Sequence, residues 1–157
     1  MIDDINLEVL LQSLKQADEY QRELATASLW QCWFYQKGEM GNQRLQAAQT
    51  LVADDRLDAA ENLLSALVAE LPDFAEAWNR RAVLYYMQHR YHEGLADCQR
   101  VIDLVPYHFG ALHGLGLCHA ALGQYQEAIQ AFRRALVVQP YALVNQRLIL
   151  ECTARLS

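Results

Sequence analysis

The chain is predicted to fold as an all-α array of stacked helical hairpins, on three observations. Its only prolines, Pro72, Pro106 and Pro140, are spaced by 34 residues twice over. Small residues recur in phase with them, Ala48, Ala82 and Gly116 in one register and Ala60, Gly94 and Ala128 in a second. Short polar breaks fall between the two registers, at Asp54-Asp55, Gln88-His89-Arg90 and Gly123-Gln124. A fixed period of this length marks a unit of one helix–turn–helix that buries its faces only against its neighbours.

The elements follow in order. Residues 1–40 carry no repeat signature but read as two helices. The first runs from Asp4 to Ala17, capped by Asp3 or Asp4, with Leu7, Leu10, Leu11 and Leu14 on one face. The second runs from Glu19 to Lys37 and ends at Gly38, a C-cap residue type one period before Pro72. This pair is therefore read as a degenerate hairpin stacked on the first unit. Its second helix holds Trp30, Trp33 and Phe34, beside Leu29 and Tyr35. Such a cluster is either core or a surface for self-association, and it lacks the basic face of a membrane-surface helix. Three hairpins follow at 41–74, 75–108 and 109–142. Proline cannot continue a helix interior and so ends each of them. Residues 143–157 form a last helix with Leu143, Leu148, Ile149 and Leu150 as its apolar stripe and Arg147, Glu151 and Arg155 on the wet side. It caps the array.

The small residues belong where the two helices of a hairpin cross closely, and a larger side chain there costs about 1–3 kcal/mol. Trp78, Tyr85, Tyr91, Tyr125 and Phe132 fill the space between hairpins.

The third hairpin reads Leu112, Leu115, Gly116, His119, then Ala128, Phe132 and Pro140; the second reads Trp78, Arg81, Ala82, Tyr85, then Gly94, Cys98 and Pro106. The first keeps Ala47, Ala48, Ala60, Leu64 and Pro72. Over Gly41 to Ala142 the chain thus resembles the tetratricopeptide repeat (TPR) family, whose pattern is W-x2-L-G-x2-Y, A-x3-F and P. It departs at Leu112 and His119, at Arg81 and Cys98, and through the aliphatic first hairpin. The resemblance implies a right-handed superhelix whose concave side is lined by the first helix of each hairpin.

On that side the expected binding residues are Gln49, with Asn42, Leu45 and Gln46 beside it; Glu76, Asn79, Arg80, Val83, Tyr86 and Met87; then His113, Gly114 and Leu117. Arg147 reaches the same groove from the last helix. Asn79 would pair with a peptide backbone, Arg80 with an acidic group, Tyr86 and Met87 with an apolar side chain. Chaperone-binding members of the family hold a C-terminal carboxylate with Lys, Asn and Arg. The matching places here are Leu45 and Gln49, Arg80, and Gly110 and Gly114, so that clamp is missing and a heat-shock-chaperone tail is not the expected partner.

Composition narrows the function further. The chain is 53% hydrophobic and carries a net charge of −6, with no concentrated positive field, so no nucleic-acid partner is expected. No run approaches the ~18 apolar residues of a membrane span. The acidic start lacks the marks of a signal peptide, so a cytoplasmic location is expected. Cys32, Cys98, Cys118 and Cys152 show no metal or CxxC spacing and read as reduced core residues. His89, His92 and the neighbours Cys118-His119 complete no metal set. Gly114 and Gly116 form a GxG inside a helix, not a nucleotide loop. No cofactor, no metal and no catalytic residues are expected. The function read here is a protein- or peptide-binding scaffold or adaptor, monomer or homodimer, that assists assembly of a larger complex. A dedicated substrate or secretion chaperone, similar in size and layout, and a regulatory subunit of a separate enzyme remain as alternatives.

Overall fold

The computed structural model describes residues 4–157, which contain nine α-helices and no strand. They are α1 (Asp4–Ser13), α2 (Glu19–Phe34), α3 (Gly38–Ala53), α4 (Leu57–Glu70), α5 (Ala75–Met87), α6 (Tyr91–Leu104), α7 (Phe109–Ala121), α8 (Tyr125–Val138) and α9 (Leu143–Leu156). This is the all-α helical-repeat fold, with α3–α4, α5–α6 and α7–α8 as successive hairpins. Asp3 lies outside the described residues, and Asp4 is the first residue of α1.

Within each hairpin the turn is set by one residue with positive φ: Asp55 at 58°, His89 at 60° and Gly123 at 76°. Each is followed by a long-range closure of the preceding helix. Arg56 N donates to Leu51 O, Arg90 N to Tyr85 O and Gln124 N to His119 O, at 2.8, 2.8 and 2.9 Å. These are Schellman closures, which satisfy carbonyls that the helix end would otherwise orphan. Gly123 alone suits the left-handed backbone without strain. An alanine in such a turn is mild only where φ is negative, and at Gly123 φ is positive. Gly123→Ala is therefore expected to destabilise by about 1 kcal/mol although its side-chain space is empty. A urea unfolding midpoint equal to the parent's would refute this.

Between hairpins the proline does a second job. Phe74 N donates to Leu71 O, His108 N to Val105 O and Ala142 N to Gln139 O, at 3.0, 3.0 and 3.1 Å. Each is a tight turn with proline at its second position, where a fixed φ is already correct. Three equivalent turns thus stand in a row along one edge of the array.

The core runs through the hairpins. Leu45, Ala48, Leu64, Phe74 and Leu84 form one cluster; Ala82, Val101, Ala111, Leu112 and Ala135 form the next. Arg81, a departure from the family pattern, has its own partner: its Nε and Nη2 donate to Asp97 Oδ2 and Oδ1 at 2.7 and 2.9 Å. Asp97 is 3% exposed, so this fork ties α5 to α6 inside the fold. Burial pushes the Asp97 carboxyl upward against the pull of Arg81.

Both ends differ from the expectation. α1 stops at Ser13 and α2 at Phe34, and Gly38 begins α3 at φ 70° instead of capping α2. Leu7, Leu10, Leu11 and Leu14 do form one face, but the hairpin does not spend it by stacking on α3–α4. α2 crosses the array instead, along the row of proline turns. At the first turn Gln36 Nε2 donates to Asp73 O at 2.8 Å, Ala75 N donates to Gln36 Oε1 at 3.2 Å, and Lys37 pairs with Asp73 at 2.8 Å. At the second turn Trp33 stacks on His108 with centroids 3.9 Å apart. At the third the Arg22 guanidinium lies 4.2 Å over the Tyr141 ring. The 13 residues from Arg22 to Phe34 span about 18 Å of helix, and the turn that follows carries Gln36 and Lys37, so together they strap three successive turns.

At the other end α9 covers α8 through Leu148, Ile149 and Cys152, packed on Ile129 and Phe132. Leu143 and Leu150, expected in the same stripe, are 74% and 71% exposed. They lie seven residues apart on the opposite side of the helix from Asn145, Ile149 and Cys152.

Candidate protein-binding groove

α3, α5 and α7 line the candidate groove, with two hollows between them. The first holds about 250 Å³ and is lined by Ala48, Gln49, Val52, Arg80, Val83 and Met87. The second holds about 140 Å³ and is lined by Asn79, Val83, Tyr86, His113, Gly114 and Leu117, with Cys98 and Cys118 at its floor. Val83 belongs to both. The structure therefore brings Gln49, Asn79, Arg80, Val83, Tyr86, Met87, His113 and Leu117 around one surface. Val83, Tyr86 and Met87 are the exposed apolar residues there, at 44%, 36% and 49%. Their i, i+3, i+4 spacing puts them on one stripe of α5.

Four expected residues lie elsewhere. Leu45 is fully buried and belongs to the core, and Asn42 is 8% exposed. Arg147 faces solvent and pairs with Glu151 at 3.5 Å. Glu76 is 0% exposed, so it lines nothing a partner could reach. Asn79, at 3% exposed, reaches the hollow's wall with its amide already committed.

Glu76 is instead the centre of a buried network. Arg80 Nε donates to its Oε1 at 2.8 Å and Asn79 Nδ2 to the same oxygen at 3.1 Å. His108 Nε2 lies 3.0 Å from Oε2. Ala111 N donates to His108 Nδ1 at 3.0 Å, which makes His108 the N-cap of α7. Because Nδ1 accepts, the ring proton is placed on Nε2, and His108 donates to Glu76. Burial pushes the Glu76 carboxyl up, but the hydrogen bonds from His108 and Asn79 and the Arg80 charge outweigh it and hold it below the ordinary carboxylate range. Every member of this network has its partners, as buried polar groups require.

The α2 strap closes this network from above. Trp30 and Phe34 lie 5.6 and 5.0 Å from the Arg80 guanidinium and flank it on the α2 side. Trp30 meets Trp33, His108 and Phe109 edge to face, with Trp30–Trp33 centroids at 5.0 Å, and Trp33 meets Phe109 at a tilt. Trp33 is 5% exposed; Trp30 and Phe34 are half-buried. The aromatic cluster is thus core: Phe34 packs on the first hairpin beside Leu45, Leu64 and Phe74, whereas Trp30 and Trp33 pack across the turn into α7. Gly110 makes the fit possible, since a Cβ there would lie 2.6 Å from the Trp30 ring. The sequence marks Gly110 only as a place where the carboxylate clamp is missing, and it singles out His108 not at all. One signal was available: Gly110 stands one period after Glu76, where a side chain is otherwise present.

Among the described residues no group of three or more His, Cys, Asp or Glu side chains is placed to hold a metal ion, and no helix is long and apolar enough to cross a membrane.

Comparison with known proteins places this geometry. Residues 73–138 match the model of the tetratricopeptide repeat family. A TPR repeat-containing protein of Rhizobium etli is 34% identical over 99 residues, which are 63% of this chain and 48% of that protein, so the chain spans about half the length of the relative it matches. Among solved structures, the first TPR of Spaghetti (RPAP3) bound to the HSP90 peptide SRMEEVD superposes with a TM-score of 0.69 at 17% identity, over 71% of this chain and 88% of that one. The TPR2B-domain:pHsp70 complex of yeast Sti1 gives 0.67 at 15%, over 72% and 95%. MamA AMB-1 gives 0.67 at 21%, over 98% and 84%. At these identities the likeness is one of fold.

Proposed function

Because the chain belongs to the tetratricopeptide repeat family, we propose that it is a non-catalytic scaffold or adaptor whose groove binds a protein or peptide through apolar side chains. The observation that carries this is the open stripe Val83, Tyr86 and Met87 above two hollows, set on rigid helices. A concave, mostly apolar surface with a few convergent polar groups is the usual form of a binding site.

Within this proposal an apolar contact is given more weight than an acidic one. Two of the solved neighbours hold peptides of HSP90 or HSP70. In this chain the clamp residues of such proteins are absent, and Arg80 is neutralised by Glu76 at 2.8 Å and covered by Trp30 and Phe34. A guanidinium whose Nε is already paired with a buried carboxylate has less charge to offer an acidic group. The partner segment in this reading is apolar and uncharged where it meets α5. Assistance in assembling a larger complex follows from the same groove, and a dedicated chaperone would use it too.

The test is capture of partners from the native cell by the parent and by Val83→Asp, then affinity measurement for each partner the parent retains. Val83 is exposed, so the variant should fold as the parent does by circular dichroism. Tyr86→Ala and Met87→Ala are expected to weaken binding about 30-fold each if they are hot spots of ordinary strength. Arg80→Ala is unsuitable, because it strands the Glu76 carboxylate. Partners that bind Val83→Asp and Tyr86→Ala as well as the parent would move the site off the groove.

A further inference from the structure

Cys98 and Cys118 share no sequence motif, yet the fold sets them side by side. They lie on α6 and α7 and are 2% and 1% exposed. The two helices meet through a reciprocal arrangement of glycine and cysteine. A Cβ on Gly94 of α6 would stand 3.0 Å from Cys118 Sγ, and a Cβ on Gly114 of α7 would stand 3.2 Å from Cys98 Sγ. Each thiol therefore fills the room left by a missing side chain on the opposite helix. In both helices the cysteine follows its glycine by one turn. Helices usually pack with axes about 8–10 Å apart, whereas a disulfide needs Cα atoms within about 4.4–6.8 Å. A crossing lined by two glycines lets the helices approach more closely than side chains would allow, which is the approach a disulfide here needs. Both sulfurs also line the 140 Å³ hollow beneath Tyr86, so a small molecule entering the groove reaches them.

We propose that Cys98 and Cys118 form a reversible dithiol–disulfide centre at the floor of the groove, oxidised by a hydroperoxide entering through the hollow. Cys118 is the attacking sulfur. The neighbouring Cys98 thiol holds its pKa below the ordinary thiol range against the opposing effect of burial, while the Cys98 thiol is itself pushed up. A lowered thiol pKa is what makes a cysteine nucleophilic near neutral pH. The Cys118 thiolate attacks the terminal peroxide oxygen; the O–O bond breaks, an S–O bond forms, and the alkoxide leaves as the alcohol with the proton that Cys118 released. The Cys98 sulfur then attacks the sulfenic sulfur; the S–S bond forms, the S–O bond breaks, and the hydroxide takes the Cys98 proton and leaves as water. Two thiols and one hydroperoxide give one disulfide, one alcohol and one water.

The inference does not depend on what the groove binds, and its test needs no partner. Full-length protein is treated with hydrogen peroxide, alkylated, digested without reduction and analysed by mass spectrometry, with free thiols titrated in parallel. Two thiols should disappear together, as one Cys98–Cys118 cross-linked peptide that dithiothreitol reverses. Their loss should be at least about tenfold faster than that of Cys32, whose thiol burial pushes up. Cys98→Ser should leave Cys118 as a sulfenic acid that dimedone traps, and Cys118→Ser should abolish the cross-link while Cys98 stays reduced. Oxidation confined to Cys32 and Cys152 would overturn the proposal. So would a cross-link that forms only in urea, or one that joins the cysteines at random. The parent's peptide map decides the matter even if a serine variant fails to fold.

Discussion

Trp33→Ala is expected to lower stability by about 3–5 kcal/mol, the range for removing a buried tryptophan or phenylalanine side chain. Trp33 stacks on His108 at 3.9 Å and 18°, meets Phe109 at 4.9 Å and Trp30 at 5.0 Å, and is 5% exposed. Its loss opens a cavity and also removes the lid over the Glu76–His108 pair, so water reaches a network that was satisfied without it. The cost of the cavity and the loosening of α2 act together, because Trp33 is the most buried of the rings by which the strap holds the middle turn. In a chain of this length each kcal/mol moves the thermal midpoint by about 2–4 °C, so a drop on the order of 10 °C is expected. Denaturation followed by circular dichroism measures it. An unchanged midpoint would mean that α2 is detachable. If dimers then formed as concentration rose, Trp30, Trp33 and Phe34 would be assigned to self-association instead.

Gly116→Leu is expected to be destabilised beyond the usual 1–3 kcal/mol of overpacking, to the point of partial unfolding at room temperature. A Cβ at Gly116 would stand 2.6 and 2.7 Å from Cδ1 and Cζ of Phe132, a side chain that is itself 0% exposed and cannot swing away. The reason is visible in the repeat. The small register holds Ala48, Ala82 and Gly116, and the facing register holds Leu64, Cys98 and Phe132. The hairpin with the largest facing residue is the one with no side chain opposite it. Between the first and third hairpins the summed volume of the pair is conserved, as close packing demands. It follows that Gly116→Ala combined with Phe132→Leu, which copies the Ala48–Leu64 pairing, should cost less than the sum of the two single changes. A double-mutant cycle on urea midpoints checks this, and strict additivity would show that the two positions do not share the space.

Much of the fold was legible because its signals are local and periodic. Pro72, Pro106 and Pro140 each sit in a four-residue turn, and a turn is decided by the φ of its own residues. The breaks near Asp55, His89 and Gly123 are the left-handed positions that end three helices. The registers of small residues marked the helix crossings within each hairpin. The groove was legible in part for the same reason: Val83, Tyr86 and Met87 follow from helical spacing on α5 once the array is known.

Tertiary structure alone decided the rest. The dense aromatics of α2 announced a buried face, but their partners, His108 and Gly110, lie more than seventy residues on. No local preference distinguishes packing there from packing on α3. Glu76 looked like a polar wall of the groove, and its burial depends on the strap above it. Arg80 read as a free cation for the same reason. Cys98 and Cys118 became neighbours only when two glycines on different helices met. Periodic sequence determines a turn or a helix face because each is closed within a few residues. A strap, a buried ion network and a thiol pair are closed by surfaces from distant parts of the chain, and their choice rests on which fit buries the most apolar area with every polar group paired.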